Sequence, residues 1–532
     1  MKKSKMKNYL CFFFFALFYV THLFSQNISE VELYVIIRPI LILFILSTIL
    51  FEIFRLVSKN RNKATFLSLI SLVLILVYGI LYSYLLTHPV FGQNLGRHSF
   101  LGAVWILFFG LIIYLLALKK FRVSNQVIFT MNLVTAILLV ITIADTAIKK
   151  VNFDSVSSIN KVASSTIESQ EKWLAEVIQP ITVKNDQILP DIYYIIPDMF
   201  AREDAILEVT SYDNSAFIEQ LRQLGFFVAD CSRSNYASTQ LSIASSLNMN
   251  YLPDIQDGMT DRPMLVTPTS NSLVRKSLEK IGYQTIVFDN GFGLSEIRNA
   301  TYNIKFKNKF FLFVPNTPFE NLIVSNSILR IFYDVNLGLF STLYDRVFFP
   351  YWDHVNTQKN IFDQLPDIID YSSPKFVFVH IMMPHPPFLI REDGSIETNS
   401  DYYRESLGQP INDDLYRNGY LMQVKYVENR LIETVRQIIA QSNTEPIIII
   451  QGDHGISGDT RLSILNAYYL PQEGFQNLYS TITPVNSFRV IFNSEFGTNY
   501  DLLPDESRFS VYPDWFEMSI DSEKNPVCQK SQ

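Results

Sequence analysis

Residues 445–455 read Glu-Pro-Ile-Ile-Ile-Ile-Gln-Gly-Asp-His-Gly. Four consecutive isoleucines make a β-branched run too short to span a membrane, and such a run is a strand buried on both faces of a parallel sheet covered by helices. It stops at Asp453, His454 and Gly455. Ligands of open α/β sheets gather at the carboxyl ends of the strands, so a carboxylate and an imidazole fixed there can both reach one metal ion. A turn holding a buried Asp-His pair is the alternative, and the dipeptide alone does not separate the two.

Working outward, residues 188–196 (Ile-Leu-Pro-Asp-Ile-Tyr-Tyr-Ile-Ile) form a second expected strand, ending at Pro197 and Asp198. Short strands follow at 226–229, 284–288 and 375–380. Between them, 214–224, 270–281 and 415–440 carry apolar residues at helical spacing, and 241–247 begins another helix. Alternating strands and helices specify an α/β domain with a mostly parallel sheet flanked by helices. Residues 305–352 break the rhythm and are crowded with Phe and Tyr. They read either as helices over the core or as a surface touching lipid or the membrane-embedded part.

The chain has 532 residues, with 48% hydrophobic and 18% charged. Much of the apolar excess lies in five segments, 9–24, 33–57, 65–86, 99–118 and 127–148. The last four reach the roughly 20 residues that cross a bilayer. The first is shorter and has a Lys-rich start, the outline of a signal peptide. No small-x-small cleavage site stands out near Ser25, so it reads as an uncleaved helix. Loop charge orients the spans. The N-terminus, the link with Arg55, Lys59, Arg61 and Lys63, and the link with Lys119, Lys120 and Arg122 are basic; the links between them are not. That pattern places the N-terminus inside and everything after Lys150 outside the cytoplasm, although Lys149 and Lys150 run against it. Arg38 and Asp145, at span edges, read as side chains that snorkel to the interface.

Three domains are therefore expected: residues 1–150 as a five-helix transmembrane anchor, 151–186 as a polar linker with one helix near 165–177, and 187–532 as an extracytoplasmic catalytic domain. Net charge is -7 with no basic tract, which excludes nucleic acid as a partner. Cys231 and Cys528 lie in the exported part, where a disulfide is permitted but not implied.

Strand ends offer the candidate chemistry: Asp198, His385 in Met-Pro-His-Pro-Pro-Phe, and the pair Asp453 and His454. Thr239, in Ala-Ser-Thr-Gln-Leu-Ser, stands just before an expected helix, whose N-terminal N–H groups favour negative charge. A divalent cation held by Asp198, Asp453 and His454 would activate its hydroxyl and neutralise a phosphoryl oxygen. Singly, each has a plain explanation: a turn aspartate, a helix cap, a histidine in a stiff Pro-flanked loop. His380, inside its strand, reads as a packed core histidine.

In this order, Pro-Asp at 197–198, Thr-x-x-Ser at 239–242, Pro-His-Pro-Pro-Phe at 384–388 and Asp-His-Gly at 453–455 resemble the alkaline phosphatase superfamily. The resemblance is to its membrane-anchored, sulfatase-like branch, which includes lipoteichoic acid synthases and phosphoethanolamine transferases. It implies one divalent metal, manganese or zinc, on Asp198, Thr239, Asp453 and His454. It also implies a covalent intermediate on Thr239, with His385 contacting phosphate or leaving group. The sulfatase formylglycine motif Cys/Ser-x-Pro/Ala-x-Arg is missing around Thr239, and the exported part offers few histidines for a second metal. The expected activity is transfer of a phosphoglycerol- or phosphoethanolamine-type group from a phospholipid donor to an envelope glycan or lipid acceptor. The alternatives are a phosphodiesterase, phosphatase or sulfatase-type hydrolase on the same fold, and a non-catalytic membrane binding protein.

Overall fold

The computed structural model describes residues 10–157, 173–252, 265–334, 351–399, 402 and 413–521, apart from 29–30, 32, 89–94, 96, 119, 175, 182–187, 293–296, 298, 307–316, 472–473 and 512–513. The expected linker helix near 165–177 and Cys528 fall largely or wholly outside these residues. Cys231 is disulfide-bonded, while Cys11 is a buried free thiol.

The chain forms two compact units. The first comprises Met1–Ala163, Lys309–Trp352 and Arg404–Pro410. Its helices are α1 (Cys11–Gln26), α2 (Ile37–Ser58), α3 (Arg61–Thr87), α4 (His98–Ala117) and α5 (Asn125–Ser157). Four of them, α2 to α5, are long and apolar enough to cross a membrane. With 16 residues, α1 is shorter. At 1.5 Å per residue it spans about 24 Å, against the ~30 Å of a bilayer core. Its Cys11, Phe12, Ala16, Tyr19, Val20 and Phe24 are buried in one cluster with Leu43 of α2 and Leu69, Leu72 and Leu76 of α3. The Asn60 side chain caps α3 by accepting from Lys63 N, which satisfies one of the orphan donors of a helix start.

Part of the aromatic segment left open by the sequence belongs to this unit. Its helices α6 (Pro318–Asn326) and α7 (Arg330–Asp334) lie against α3 and α4. Ile328 N donates to Ile75 O at 2.7 Å. A Cβ on Gly79 would stand 2.0 Å from Ser325 O, so only glycine permits this approach. Arg38 pairs with Glu320 at 2.9 Å rather than merely snorkelling, and Asp145 pairs with Lys149 at 3.0 Å. Arg330 and His98 both bind Asp334, at 3.0 and 2.8 Å.

The second unit comprises Ser164–Asn308, Asp353–Tyr403 and Ile411–Gln532. Its main strands are β1 (Ile192–Pro197), β2 (Phe227–Val228), β3 (Gln284–Phe288), β4 (Tyr302–Ile304), β5 (Lys375–Ile381), β6 (Ile447–Gln451) and β7 (Asn466–Tyr469). They form one sheet in the order β2-β7-β6-β1-β5-β3-β4. The run β6-β1-β5-β3-β4 is parallel, and β7 and β2 add an antiparallel edge. Ile192 of β1 is in register with Phe376 on one side and Ile447 on the other. All four isoleucines of β6 are fully buried, each worth roughly 1.5–3 kcal/mol of burial. Ile192, Tyr194, Ile196, Phe376, Phe378, Ile447 and Ile449 share a core with helix residues Ile243, Leu247, Leu273, Leu278, Phe488 and Phe492. The strand order reverses around β1, and in open α/β sheets ligands bind at such a place, beyond the carboxyl ends of the strands.

Candidate active site

Asp198 is the first residue beyond β1, and its N–H donates to Ile381 O at 2.8 Å, tying the end of β1 to the end of β5. The next residue, Met199, takes a left-handed conformation with φ of 66°, which side chains other than glycine adopt only at a cost. That turn aims its N–H at Asp453 Oδ1, 2.9 Å away. His454 N donates to the same oxygen at 2.9 Å. One carboxylate oxygen of Asp453 is thus held by two backbone donors. Its other oxygen, Oδ2, is buried without a hydrogen-bond partner among the described residues, as is Oδ1 of Asp198.

These two oxygens converge on one ring nitrogen. His454 Nε2 lies 3.6 Å from Asp198 Oδ1 and 3.6 Å from Asp453 Oδ2. On the far side of the ring, Nδ1 is 2.9 Å from Gly455 O. A carbonyl oxygen only accepts, so Nδ1 carries the proton and Nε2 presents its lone pair to the carboxylates. Asp198, Asp453 and His454 can hold one metal ion, with ligand atoms within 4.8 Å of one another and all three residues buried. Two buried carboxylate oxygens without donors are what a divalent cation satisfies, and an oxygen-oxygen-nitrogen set suits zinc or manganese.

Thr239 opens α8 (Thr239–Asn248), which runs into the shared core. Its Oγ1 stands 3.4 Å from His454 Nε2. The fold therefore brings Asp198, Thr239, Asp453 and His454 together from three separate places in the sequence. His385 joins them, its ring centroid 6.3 Å from that of His454. Its Nδ1 lies 2.7 Å from Pro386 O, which leaves Nε2 for proton exchange. Gln423, on α9 (Asp413–Gln441), fixes this loop by donating to Pro384 O and His385 O and accepting from Leu389 N.

His380 is buried, as expected of a strand residue, but it also faces the site: Nε2 is 3.4 Å from Asp198 Oδ2. Asn290 Nδ2 donates to its Nδ1 at 2.8 Å, which places the ring proton on Nε2, toward the carboxylate. The sequence reading missed this role because a histidine inside a strand has no local mark of facing outward at the strand's end. Burial works to raise the Asp198 carboxyl, but His385, His380 and His454 outweigh it and hold the group well below the usual carboxylate range. Burial pushes the His454 imidazole down, against the pull of Asp453. His354, whose field is felt from His385 and Asp198, is pushed down to about 4 by burial.

Arg461 also escaped the sequence reading. It donates from Nε to Ala237 O at 2.9 Å and from Nη1 to Ile456 O at 3.2 Å, and its Nη2 lies 3.3 Å from His454 Nε2.

The sulfatase family model matches residues 190–489, more than half of the chain. The chain belongs to the sulfatase family. Membership agrees with the superfamily expected from the motifs, and the matched residues contain every candidate site residue. No curated protein matches the chain. Among solved structures, the sulfatase-family chain is similar to the integral membrane protein lipooligosaccharide phosphoethanolamine transferase A from Neisseria meningitidis, at 12% identity and a TM-score of 0.37, covering 91% of this chain and 95% of that one. It is similar to the zinc complex of the periplasmic domain of EptC from Escherichia coli, at 9% identity and 0.37, covering 60% and 87%. A putative sulfatase from Bacteroides thetaiotaomicron matches at 12% identity and 0.36, covering 59% and 72%.

Proposed function

We propose that the chain is a metal-dependent, membrane-integral transferase with an extracytoplasmic catalytic domain. It moves a phospho-substituent of the phosphoglycerol or phosphoethanolamine type from a phospholipid to an envelope glycan or lipid, through a covalent intermediate on Thr239. The observation that carries this reading is the placement of Thr239 Oγ1 beside His454 Nε2, which two partnerless carboxylate oxygens also face.

Asp198, Asp453, His454 and the Thr239 hydroxyl would hold one zinc or manganese ion. Such an ion supplies Lewis acidity that favours the Thr239 alkoxide and offsets charge on a phosphoryl oxygen. The remaining steps belong to the chain's own groups. Thr239 loses its proton to solvent, and its Oγ1 forms a bond to phosphorus while the bond from phosphorus to the diacylglycerol oxygen breaks. His385 Nε2 gives a proton to that leaving oxygen and then takes one from the acceptor hydroxyl. The acceptor oxygen next bonds to phosphorus, the bond to Thr239 Oγ1 breaks, and Thr239 Oγ1 regains a proton from solvent. The N-terminus of α8 offers backbone N–H groups to the negative charge. The four apolar helices support a lipid donor, because they keep the catalytic unit tethered to a lipid pool.

Peptide mass spectrometry on the Thr239 segment, from native membranes and beside a His385→Ala form that slows turnover, tests the reading. A phosphoglycerol or phosphoethanolamine adduct on Thr239 is expected. A bare phosphate would replace the transferase with a hydrolase. Full transfer activity in Thr239→Ala would overturn the nucleophile assignment.

A further inference from the structure

The turn after β6 is built to return on itself. A Cβ on Gly455 would stand 2.1 Å from Thr460 O and 2.6 Å from Ser463 O, so the chain can close here only with glycine. Gly455 N donates to Arg461 O at 2.6 Å. Between them, Ser457 and Thr460 form a reciprocal capping box around a short 3-10 turn. This architecture delivers Arg461, seven positions after His454, back onto the His454 ring.

Two of the guanidinium contacts are those of a staple. Nε binds Ala237 O, two residues before Thr239, and Nη1 binds Ile456 O. The third has another character. Nη2 lies 3.3 Å from His454 Nε2, the nitrogen whose lone pair faces Asp198 and Asp453 and beside which Thr239 Oγ1 stands at 3.4 Å. A staple has no need to aim a fixed positive charge at a nitrogen suited to bind a cation. Like charges that close repel unless an anion lies between them. With the Nε2 lone pair committed to a metal, the Nη2 N–H groups need another acceptor in the same place. Two carboxylates balance a divalent cation, and Arg461 then leaves the site net positive.

We propose that Arg461 is a substrate-binding residue that clamps a phosphoryl oxygen of the group attacked by Thr239. Its Nε and Nη1 contacts pre-orient the planar fork, and Nη2 donates to the anion. This inference rests on the phosphoryl-transfer reading of the same site.

The test uses the purified full-length chain in detergent, loaded with one equivalent of zinc and titrated calorimetrically with inorganic phosphate. In Arg461→Ala and Arg461→Gln, phosphate affinity is expected to fall about tenfold or more, the loss of a charge-assisted hydrogen bond. Zinc affinity should stay within about threefold of wild type, since no ligand atom is removed. Arg461→Lys keeps the charge without the fork and is expected to lie between. Unchanged phosphate affinity in both variants, with zinc bound normally, would overturn the clamp and leave the transferase reading standing. Parallel loss of zinc in both would make Arg461 a builder of the metal pocket instead. If the zinc-loaded wild-type chain bound no phosphate, the transferase reading would fail and the clamp with it.

Discussion

Strand β1 is flanked by an aspartate at each end, and the two ends treat their charge in opposite ways. At the amino end, Asp191 is surrounded: Lys375 Nζ donates at 2.6 Å, Ser373 Oγ at 2.9 Å and Lys375 N at 3.1 Å. Just past the carboxyl end, Asp198 keeps one oxygen without any donor, opposite the equally bare Oδ2 of Asp453. A buried charge with its partners in place is scaffold; a buried charge left open is held ready for something the chain does not itself supply. Glu428 is a third case. It is buried and, among the described residues, accepts only from neutral groups, Asn214 Nδ2 at 2.8 Å and Tyr212 OH at 3.1 Å.

Substitutions should separate these three behaviours. Asp453→Asn is expected to lower zinc affinity by at least about a hundredfold in calorimetry. In the metal-free chain it should raise the melting temperature, because a buried charge with one donorless oxygen is gone while the oxygen that accepts from Met199 N and His454 N is kept. A drop in both would show that the open carboxylate is structural. Lys375→Met should have the opposite profile. It strands Asp191 and costs about 3–5 kcal/mol of stability in urea unfolding, while zinc affinity in the folded fraction stays unchanged.

Glu428 should report through pH. Burial raises its carboxyl from 4.5 to about 7, so the folded state favours the protonated form. Its stabilising contribution is complete below the unfolded value of 4.5, falls as pH rises to about 7, and is gone above. A shift of this size corresponds to about 3 kcal/mol. Glu428→Gln is expected to flatten that part of the stability profile; an unaltered slope would assign it to other groups. The smallest effect belongs to Ser457→Ala, which removes one half of the capping box. It should cost about 1 kcal/mol and weaken phosphate binding less than the Arg461 substitutions do.

What the sequence disclosed follows from where information sits. The isoleucines of β6 and the Gln284–Phe288 strand declare themselves because burial on both faces needs an unbroken apolar run. Asp198, Thr239, His385, Asp453 and His454 were visible as polar residues at the ends of such elements. Strand β4, only three residues long and partly exposed, has no such run. His380 and Arg461 were invisible as site residues for a different reason. Which way a strand-end ring points, and where a turn returns its last side chain, depend on contacts with Asn290, Ala237 and Ile456, far away or local only after the turn has closed. The docking of α6 on α3 depends on Gly79, whose missing side chain leaves no apolar signal.

That docking bears on how the molecule can be taken apart. Residues 309–352 leave the catalytic unit, join the membrane-helix unit and return. A protease cut in the polar stretch after α5 would therefore free no soluble enzyme, because 309–352, carried on the released fragment, stays docked non-covalently on the membrane helices through contacts such as Arg38–Glu320 and Ile328 N–Ile75 O. A fragment expressed from residue 188 onward would carry Phe319 and Ile323 without the helices that bury them, and it should aggregate. Excising 309–352 and 404–410 together with the first 163 residues is the cut that follows the molecule's own seams.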